Sequence, residues 1–449
     1  MEVRDFADRP AEWVYEVVAG EEDERTCDAI SDDACAEVPG NFLLNALNGV
    51  CTKLAEQLAS PGLVLPWVLG AIGAPTALIG LLVPVRRAAA LLPQLAVAGW
   101  IRAYPKRKWF WTGAGLVQAG ALAAMVPALW LSPTQAGGAV VALLAVFAVA
   151  SGVGSVAFKD VVAKTIPRGR RGRLLGVRAT AGGLLALVAA AVLRFTVAEE
   201  ESLGPYVALL VAAAALWVLA AGLFAGIREG GGASEGGRNA FEEGRAGLRF
   251  LGEQPGFRRF VFARALLLSA QFAVPFYALH AQAVTGVNAS HLALFVMASS
   301  LAAVVSSPFW GKFSDAAAHR VMVAGGVWSA LTIAAALTAE LVPDEGARLI
   351  VLTFVFLSSG FAVAGVRLGR KTYLLDGAPE VERPLMVAVA NTLVGVMYAL
   401  GAGLGVLAAH LGIPVVLGVL GGLAVAGTAV AGSLPPAERL VVERGDASG

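Results

Sequence analysis

Two stretches, FKDVVAKTIPRGRRGRLLGVRATAGG (158–183) and RKTYLLDGAPEVERPLMVAVANTLVG (370–395), decide the fold because the second repeats the pattern of the first. At one constant shift of 212 residues, similar residues coincide along the chain: Gly99 with Gly311, Lys108 with Arg320, Lys159 with Lys371, Pro167 with Pro379, Arg171 with Arg383, Thr180 with Thr392 and Gly183 with Gly395. Self-similarity over this length indicates that the chain consists of two related halves.

The composition is that of a membrane protein. Hydrophobic residues make up 57% of the chain, charged residues make up 15%, and the mean hydropathy is +0.71. These values lie outside the range of soluble globular domains. Backbone groups in hydrocarbon must be paired within the protein, so only helices or a closed barrel can span a bilayer. The apolar runs are about twice the ~10 residues of a barrel strand, which favours helices.

Apolar runs of about 20 residues predict ten spans: 109–131, 138–158, 174–195, 205–227, 259–283, 291–311, 321–341, 347–366, 384–409 and 413–432. The 212-residue shift divides the remaining segment, 41–101, into two further spans joined at IGAPT (72–76). The predicted fold is therefore an all-α polytopic membrane protein. Its twelve transmembrane helices form two six-helix bundles in a parallel repeat, an architecture found in secondary transporters.

Lysine and arginine concentrate in five of the predicted loops, at 102–108, 159–173, 228–259, 312–320 and 367–383. The six loops on the other side have none unless Arg348 is counted. By the positive-inside rule, both termini are predicted to be cytoplasmic and the protein to lie in the cytoplasmic (inner or plasma) membrane. The predicted domains are an acidic tail (1–40), a first bundle (41–227), a linker (228–258), a second bundle (259–432) and a C-terminal tail (433–449).

The N-terminal tail differs sharply in charge from the rest of the chain. It holds 13 acidic and 3 basic residues, a net charge of −10, whereas the remainder carries +11. Without an apolar signal segment, it is predicted to be a partly disordered cytoplasmic extension. Cys27, Cys35 and Cys51 are an odd number without metal-ligand spacing, so we expect free thiols and no metal site. In the linker, 239–251 predicts a short amphipathic helix along the membrane surface, with a solvated linker as the alternative.

The quoted loops, together with GKFSDAAAHR (311–320), resemble the major facilitator superfamily over residues 41–432. The resemblance implies a transporter in which two bundles rock about a central site, with gating loops at Gly99, Arg102, Lys108, Lys159, Asp160, Arg171, Gly311, Asp315, Arg320, Lys371 and Arg383. The chain departs from the family pattern at Ala103, where the family usually has an acidic residue. Spans 4 and 5 also lack the arginine and the proline-containing run of the family's drug antiporters, so drug efflux is the weaker alternative.

Four charged residues fall near the middle of the first two predicted spans: Lys53, Glu56, Arg86 and Arg87. In the first span, polar residues recur every three or four positions and so share one helix face: Asn41, Asn45, Asn48, Thr52 and Glu56. Gln57 lies beside this face, and Gln94 follows Arg87 on the same side of the second span. A charge at the bilayer centre costs at least ~2.5 to 3.5 kcal/mol and usually marks an ion or substrate path. We predict that these residues share a cavity of net positive charge.

Two interpretations of this cluster remain open. In one, Glu56 bridges an arginine and only locks the first helix to the second. In the other, Arg87 and a partner bind an anionic or zwitterionic substrate, because a guanidinium matches the oxygens of a carboxylate or phosphate. Glu56 is then the candidate proton carrier. The second interpretation is favoured because the cluster stays positive after one ion pair forms.

The second half is poorer in charge. Arg264 and Gln271 in span 7, and Asn391 and Tyr398 in span 11, are predicted to face the same path, with ordinary interhelical hydrogen bonding as the alternative. Pro275 is expected to kink span 7.

The motifs that are absent narrow the function. The sequence has no phosphate-binding loop, nucleophile elbow or HExxH motif, which argues against ATP-driven transport and against a membrane enzyme. The basic loop 167–173 is expected to contact lipid head groups rather than nucleic acid. We therefore predict a secondary active transporter that works by alternating access without a cofactor. Its partners are a small-molecule substrate, membrane lipids and, if transport is coupled, protons. The alternatives are a lipid-moving protein and a non-transporting membrane sensor.

Overall fold

The computed structural model describes residues 37–91, 101, 104–167, 170–196, 203–231, 249, 251–286, 288–379, 383–437 and 440. Within these ranges the secondary structure is helical, without a strand. Ten helical segments are long and apolar enough to cross a membrane: Lys108–Ala128, Pro133–Thr165, Arg171–Val192, Gly204–Ala225, Pro255–Thr285, Ala289–Gly311, Ala318–Leu341, Glu345–Leu374, Val389–Leu411 and Ile413–Gly432. They confirm the ten spans predicted from apolar runs, while the total of twelve stays a prediction.

The first segment of the chain forms four short helices: α1 (Val38–Leu58), α2 (Val64–Ala71), α3 (Thr76–Gly80) and α4 (Leu82–Leu91). The helix is interrupted between α1 and α2 at Ser60, Pro61 and Gly62. Proline removes a backbone donor and glycine allows more backbone conformations, so both favour a break here. The turn between α2 and α3 falls within the predicted IGAPT connection, and Gly73 there has φ +73°, a conformation that favours glycine. Broken helices of this kind occur in membranes where they line a cavity.

The remaining helices follow in order: α5 (Lys108–Ala128), α6 (Pro133–Thr165), α7 (Arg171–Thr196), α8 (Gly204–Ala225), α9 (Pro255–Leu266), α10 (Ser269–Thr285), α11 (Ala289–Thr338), α12 (Glu345–Gly377), α13 (Arg383–Leu400), α14 (Gly403–Leu411) and α15 (Ile413–Gly432). A 3₁₀ turn, Ala339–Leu341, follows α11. Helices α6 and α12 begin and end 212 residues apart, and so do the first residues of α7 and α13. The helix bounds therefore carry the same offset as the sequence.

Helix α11 contains two spans in one helically bonded segment. The rings of Trp310 and Trp328 lie 6.3 Å apart, whereas a straight helix would place them about 27 Å apart. The chain therefore reverses direction between them, close to the predicted loop at 311–320.

Several predicted loop residues are instead helical. Lys159 and Asp160 lie inside α6, and Lys371 lies inside α12. Apolar runs end where charged residues begin, but a helix can continue into water because its backbone bonds are internal. Span 7 is interrupted at Leu267 and Leu268, and Pro275, where a kink is expected, lies within α10.

The two halves of the chain pack against each other along α7 and α11 and along α4 and α13. They also meet at one end, which we call the closed end. There the Gln282 amide donates to the Trp67 carbonyl at 2.7 Å, and the backbones of Gly80 and Gly405 approach so closely that a side chain on either would collide with the other helix. Near mid-height, Gln57 Nε2 and Ser300 Oγ are 3.4 Å apart. Further from the closed end than Gln57 and Ser300, each hydrogen bond and ion pair among the described residues joins groups of the same half.

Candidate functional site

A cavity of about 400 Å³ lies between the two halves. Its wall combines α1, the break after α1, α4, α5, α6 and α7 of the first half with α11 and α12 of the second. The charged side chains on the wall are Lys53, Glu56, Arg86, Arg87 and Arg367. Four cations against one carboxylate give the described wall a net charge of +3.

The four predicted charges of the first half come together at this cavity. Lys53 Nζ lies 2.8 Å from Glu56 Oε2, and Arg86 Nη2 lies 3.9 Å from Glu56 Oε1. Arg86 also donates to Ser151 Oγ at 3.0 Å and sits 5.1 Å from the centre of the Phe147 ring. These contacts fix the Arg86 guanidinium against the cavity wall. Gln57 lines the same cavity.

Arg87 differs from Arg86 because it is exposed to the cavity. None of the ion pairs among the described residues includes its guanidinium. Gln94, which was predicted on the same side of the helix, lies outside the described residues.

The predicted residues of the second half form two hydrogen-bonded pairs. Arg264 Nη2 donates to Asn391 Oδ1 at 2.9 Å, and the Tyr398 hydroxyl donates to Gln271 Oε1 at 2.5 Å. Arg264, Gln271 and Tyr398 are buried, and none of the four lines the cavity wall. The second half thus presents a polar interior behind the cavity, in which these side chains already have partners.

Sequence reasoning assigned Arg367 and Arg370 to a loop, and the structure places both on helix α12. Arg367 lies on the cavity wall. Arg370 is three residues further on, hence on the same helix face, and lies within electrostatic range of Arg87. The 212-residue repeat could have predicted this, because it aligns α12 with α6. If the charged end of α6 is recognised as helical, the equivalent part of α12 is expected to be helical as well.

Arg178 of α7 was also missed. It is buried and donates to the backbone carbonyl of Asn45 at 2.6 Å and to Asn48 Oδ1 at 3.1 Å. Its guanidinium lies 4.4 Å from the centre of the Phe158 ring. Asn45 and Asn48 of the predicted polar face therefore point into the first half, where a buried arginine pairs with them, while Glu56 of the same face lines the cavity. A lone arginine in an apolar span was the available signal, since such a charge requires a polar partner.

A second cluster of charges lies at the opposite end of the first half from the closed end; we call it the basic end. Asp160 forms ion pairs with Arg107 and with Lys164. The fully buried carboxylate of Glu229 accepts from the backbone amides of Arg107 at 3.0 Å and Lys108 at 2.8 Å, and from Lys164 Nζ at 3.1 Å. Glu229 thus places a negative charge at the N-terminus of α5, where the helix dipole favours it. The family usually has an acidic residue at the position of Ala103. In this chain the acidic groups of the basic end are Asp160 and Glu229.

The other predicted gating residues are dispersed. The Lys108 ammonium donates to the carbonyls of Ala225 and Ile227 at the end of α8, and Arg171 donates to the carbonyls of Ala163 and Ile166. Gly311 is partly exposed, and three cations are exposed: Lys159, Arg320 and Lys371. The backbones of Asp315 and Arg383 are helical. Gly99 and Arg102, like most of the predicted linker helix, lie outside the described residues.

Two helical halves that enclose a charged cavity between them are the arrangement found in membrane-transporter folds. Among solved structures, the chain is similar to the nucleoside transporter NupG, with 14% identity, a TM-score of 0.67, and coverage of 88% of this chain and 99% of that one. It is also similar to the E. coli xylose transporter XylE in its inward-open conformation, with 12% identity, a TM-score of 0.64, and coverage of 89% and 96%. At these identities the likeness concerns the fold.

Residues 260–446 match the family model of the Major Facilitator Superfamily. The match covers the second half of the chain and supports the predicted resemblance to the major facilitator superfamily. Uncharacterized proteins of Mycobacterium tuberculosis and Mycobacterium bovis are 29% identical to it over 301 residues, which is 66% of this chain. The chain spans about half the length of these relatives, 54%.

Proposed function

We propose that the protein is a secondary active transporter that moves a small anionic or zwitterionic solute across the cytoplasmic membrane by alternating access. The observation that carries this proposal is the cavity between the halves, whose wall holds Lys53, Arg86, Arg87 and Arg367 against the single described carboxylate of Glu56. A charge in the membrane interior is costly unless it is paired or serves a path for ions or substrate. An anion entering the cavity would supply the missing partner, and guanidinium groups bind carboxylates and phosphates well.

Alternating access is supported by the contacts between the halves. They meet at the closed end through Trp67, Gly80, Gln282 and Gly405, while the polar contacts of the basic end stay within one half. With twelve spans and cytoplasmic termini, as the loop charges predict, the basic end faces the cytoplasm and the cavity opens inward. A rocking motion of the halves would open the closed end instead.

Glu56 is the proposed site of proton coupling. It lies between Lys53 and Arg86 on the wall that substrate would reach. An anion that binds nearby competes with its carboxylate for the same cations. Substrate binding and proton binding at Glu56 would therefore depend on each other.

The test is thermal unfolding of the detergent-purified protein with a panel of organic anions, zwitterions and lipophilic cations. It compares wild type, Arg87→Ala and the control Arg258→Ala, which removes an exposed arginine away from the cavity. A ligand at 100 times its dissociation constant stabilises the folded protein by about 2.7 kcal/mol. We expect an anion or zwitterion to stabilise wild type and Arg258→Ala but not Arg87→Ala. Equal stabilisation of all three proteins by lipophilic cations would refute the proposal and favour drug efflux.

A further inference from the structure

Two guanidinium groups face the cavity from opposite halves of the chain. Arg87 of α4 and Arg367 of α12 both line the cavity and are exposed to it. Neither takes part in the ion pairs found among the described residues. Glu56, the one carboxylate on the described part of the wall, is already shared by Lys53 at 2.8 Å and Arg86 at 3.9 Å. Each half therefore offers one uncommitted cation to a ligand.

Two further arginines reinforce the positive charge behind Arg367. Arg370 follows on the same face of α12, and Arg264 of α9 lies within electrostatic range of Arg370. Arg264 Nε and Arg370 Nη1 are buried and have no hydrogen-bond partner in the described part of the chain. Neither arginine takes part in the ion pairs found among the described residues. The second half thus offers a positive potential that no described carboxylate offsets at close range.

From this arrangement we infer that the substrate is an organic dianion that bridges the halves, with one anionic group on Arg87 and the other on Arg367. The inference rests on the proposed function and narrows it. A single carboxylate that binds the Arg87 guanidinium with both oxygens leaves none for Arg367. A zwitterion would bring an ammonium group towards a cation, and the described wall holds no second carboxylate to receive it.

Bridging also connects binding with movement. Arg87 and Arg367 lie within electrostatic range of each other, and they belong to different halves, so their repulsion opposes closer approach of the halves at this level. A dianion placed between them replaces that repulsion with two attractions. The same charge pattern therefore selects the substrate and favours closure of the cavity around it.

Three four-carbon probes separate the possibilities: succinate with two carboxylates, butyrate with one, and 4-aminobutyrate as a zwitterion. Their dissociation constants are measured by titration calorimetry on the full-length protein, for wild type, Arg367→Gln, Arg367→Lys and the control Arg258→Gln. We expect succinate to bind wild type at least about tenfold more tightly than either other probe, since a second charge-assisted pair is worth that much. Arg367→Gln should bring succinate to the level of butyrate and change butyrate less than twofold. Arg258→Gln should change neither.

Arg367→Lys keeps the charge and loses the two-pronged donor, so it should retain part of the succinate preference. If Arg367→Gln does not fold, Arg367→Lys still tests the dianion inference. The ratio of succinate to butyrate affinity in wild type tests it without any variant. Equal binding of succinate and butyrate to wild type would overturn the dianion inference and leave the proposed anion transporter standing. Tighter binding of 4-aminobutyrate would overturn it in favour of a zwitterion. Binding of none of the three, with lipophilic cations bound instead, would overturn the inference and the proposed function together.

Discussion

The closed end depends on a contact between two glycines, and Gly405→Ala should open it. A Cβ on Gly405 would lie 2.6 Å from the Ala77 carbonyl oxygen and 2.9 Å from Gly80 Cα. Both atoms belong to the backbone of α3, so no side chain can rotate away and the helices must separate. Overpacking of this kind costs about 1 to 3 kcal/mol. Because the strain exists only while the closed end is closed, the equilibrium should shift towards opening by about 5- to 150-fold.

Access to Ser60 reports this shift, because Ser60 lines the cavity. The assay uses Ser60→Cys in a background of Cys27→Ser, Cys35→Ser and Cys51→Ser, and labels it with a membrane-impermeant maleimide applied from the side of the closed end. Where opening is rare, the labelling rate follows the open population and should rise by the same factor.

Gly403→Ala is the matched control, because it lies two residues away on α14 and a Cβ there meets nothing within 4 Å. Both substitutions add one methyl group to a glycine of α14, and only the one at Gly405 produces a collision. If Gly405→Ala labels no faster than Gly403→Ala, the glycine contact does not hold the closed end and the reasoning is wrong.

Two further predictions concern single carboxylates. Glu229→Gln should lower the free energy of unfolding by about 1 to 3 kcal/mol, because the amide loses the charge that faces Lys164 and can accept through only one oxygen where Arg107 and Lys108 both donate. Chemical denaturation would show this, and the same loss in Glu253→Gln, an exposed pair with Arg249, would contradict it. Glu56→Gln should abolish accumulation of the anion driven by a pH gradient in proteoliposomes, while anion binding persists or tightens as the cavity loses its carboxylate. Unchanged accumulation would remove Glu56 from the coupling step.

The spans were predictable because burial in lipid demands long apolar runs. Ile413–Gly432 matches the predicted 413–432, and Gly204–Ala225 lies close to the predicted 205–227. The limits of the helices were less predictable, because a helix can continue past the end of its apolar run, as α12 does through Arg367 and Arg370. The interruption at Leu267 and Leu268 could not be predicted, because no proline or glycine lies there.

The site was predictable only where its members are close in sequence. Lys53 and Glu56 are three residues apart, and only the short helices α2 and α3 separate α1 from α4, so their meeting could be expected. Arg178 and Arg367 have partners or neighbours far along the chain, and periodicity carries no information about such contacts. A polar helix face shows that a partner must exist, but the sequence alone does not tell which residue it is.

The pairing of α1 with Arg178 also sets a problem of timing during synthesis. Asn45 and Arg178 are 133 residues apart, and a ribosome adds about 5 to 20 residues per second. The polar face of α1 therefore leaves the ribosome roughly 7 to 27 seconds before the arginine that satisfies it. During this interval α1 is a poor candidate for free release into lipid, and its Asn, Lys and Glu side chains need temporary shelter at the insertion machinery. The order of synthesis therefore matters for α1 as well as its final packing, because its polar side chains are made before the arginine that pairs with them.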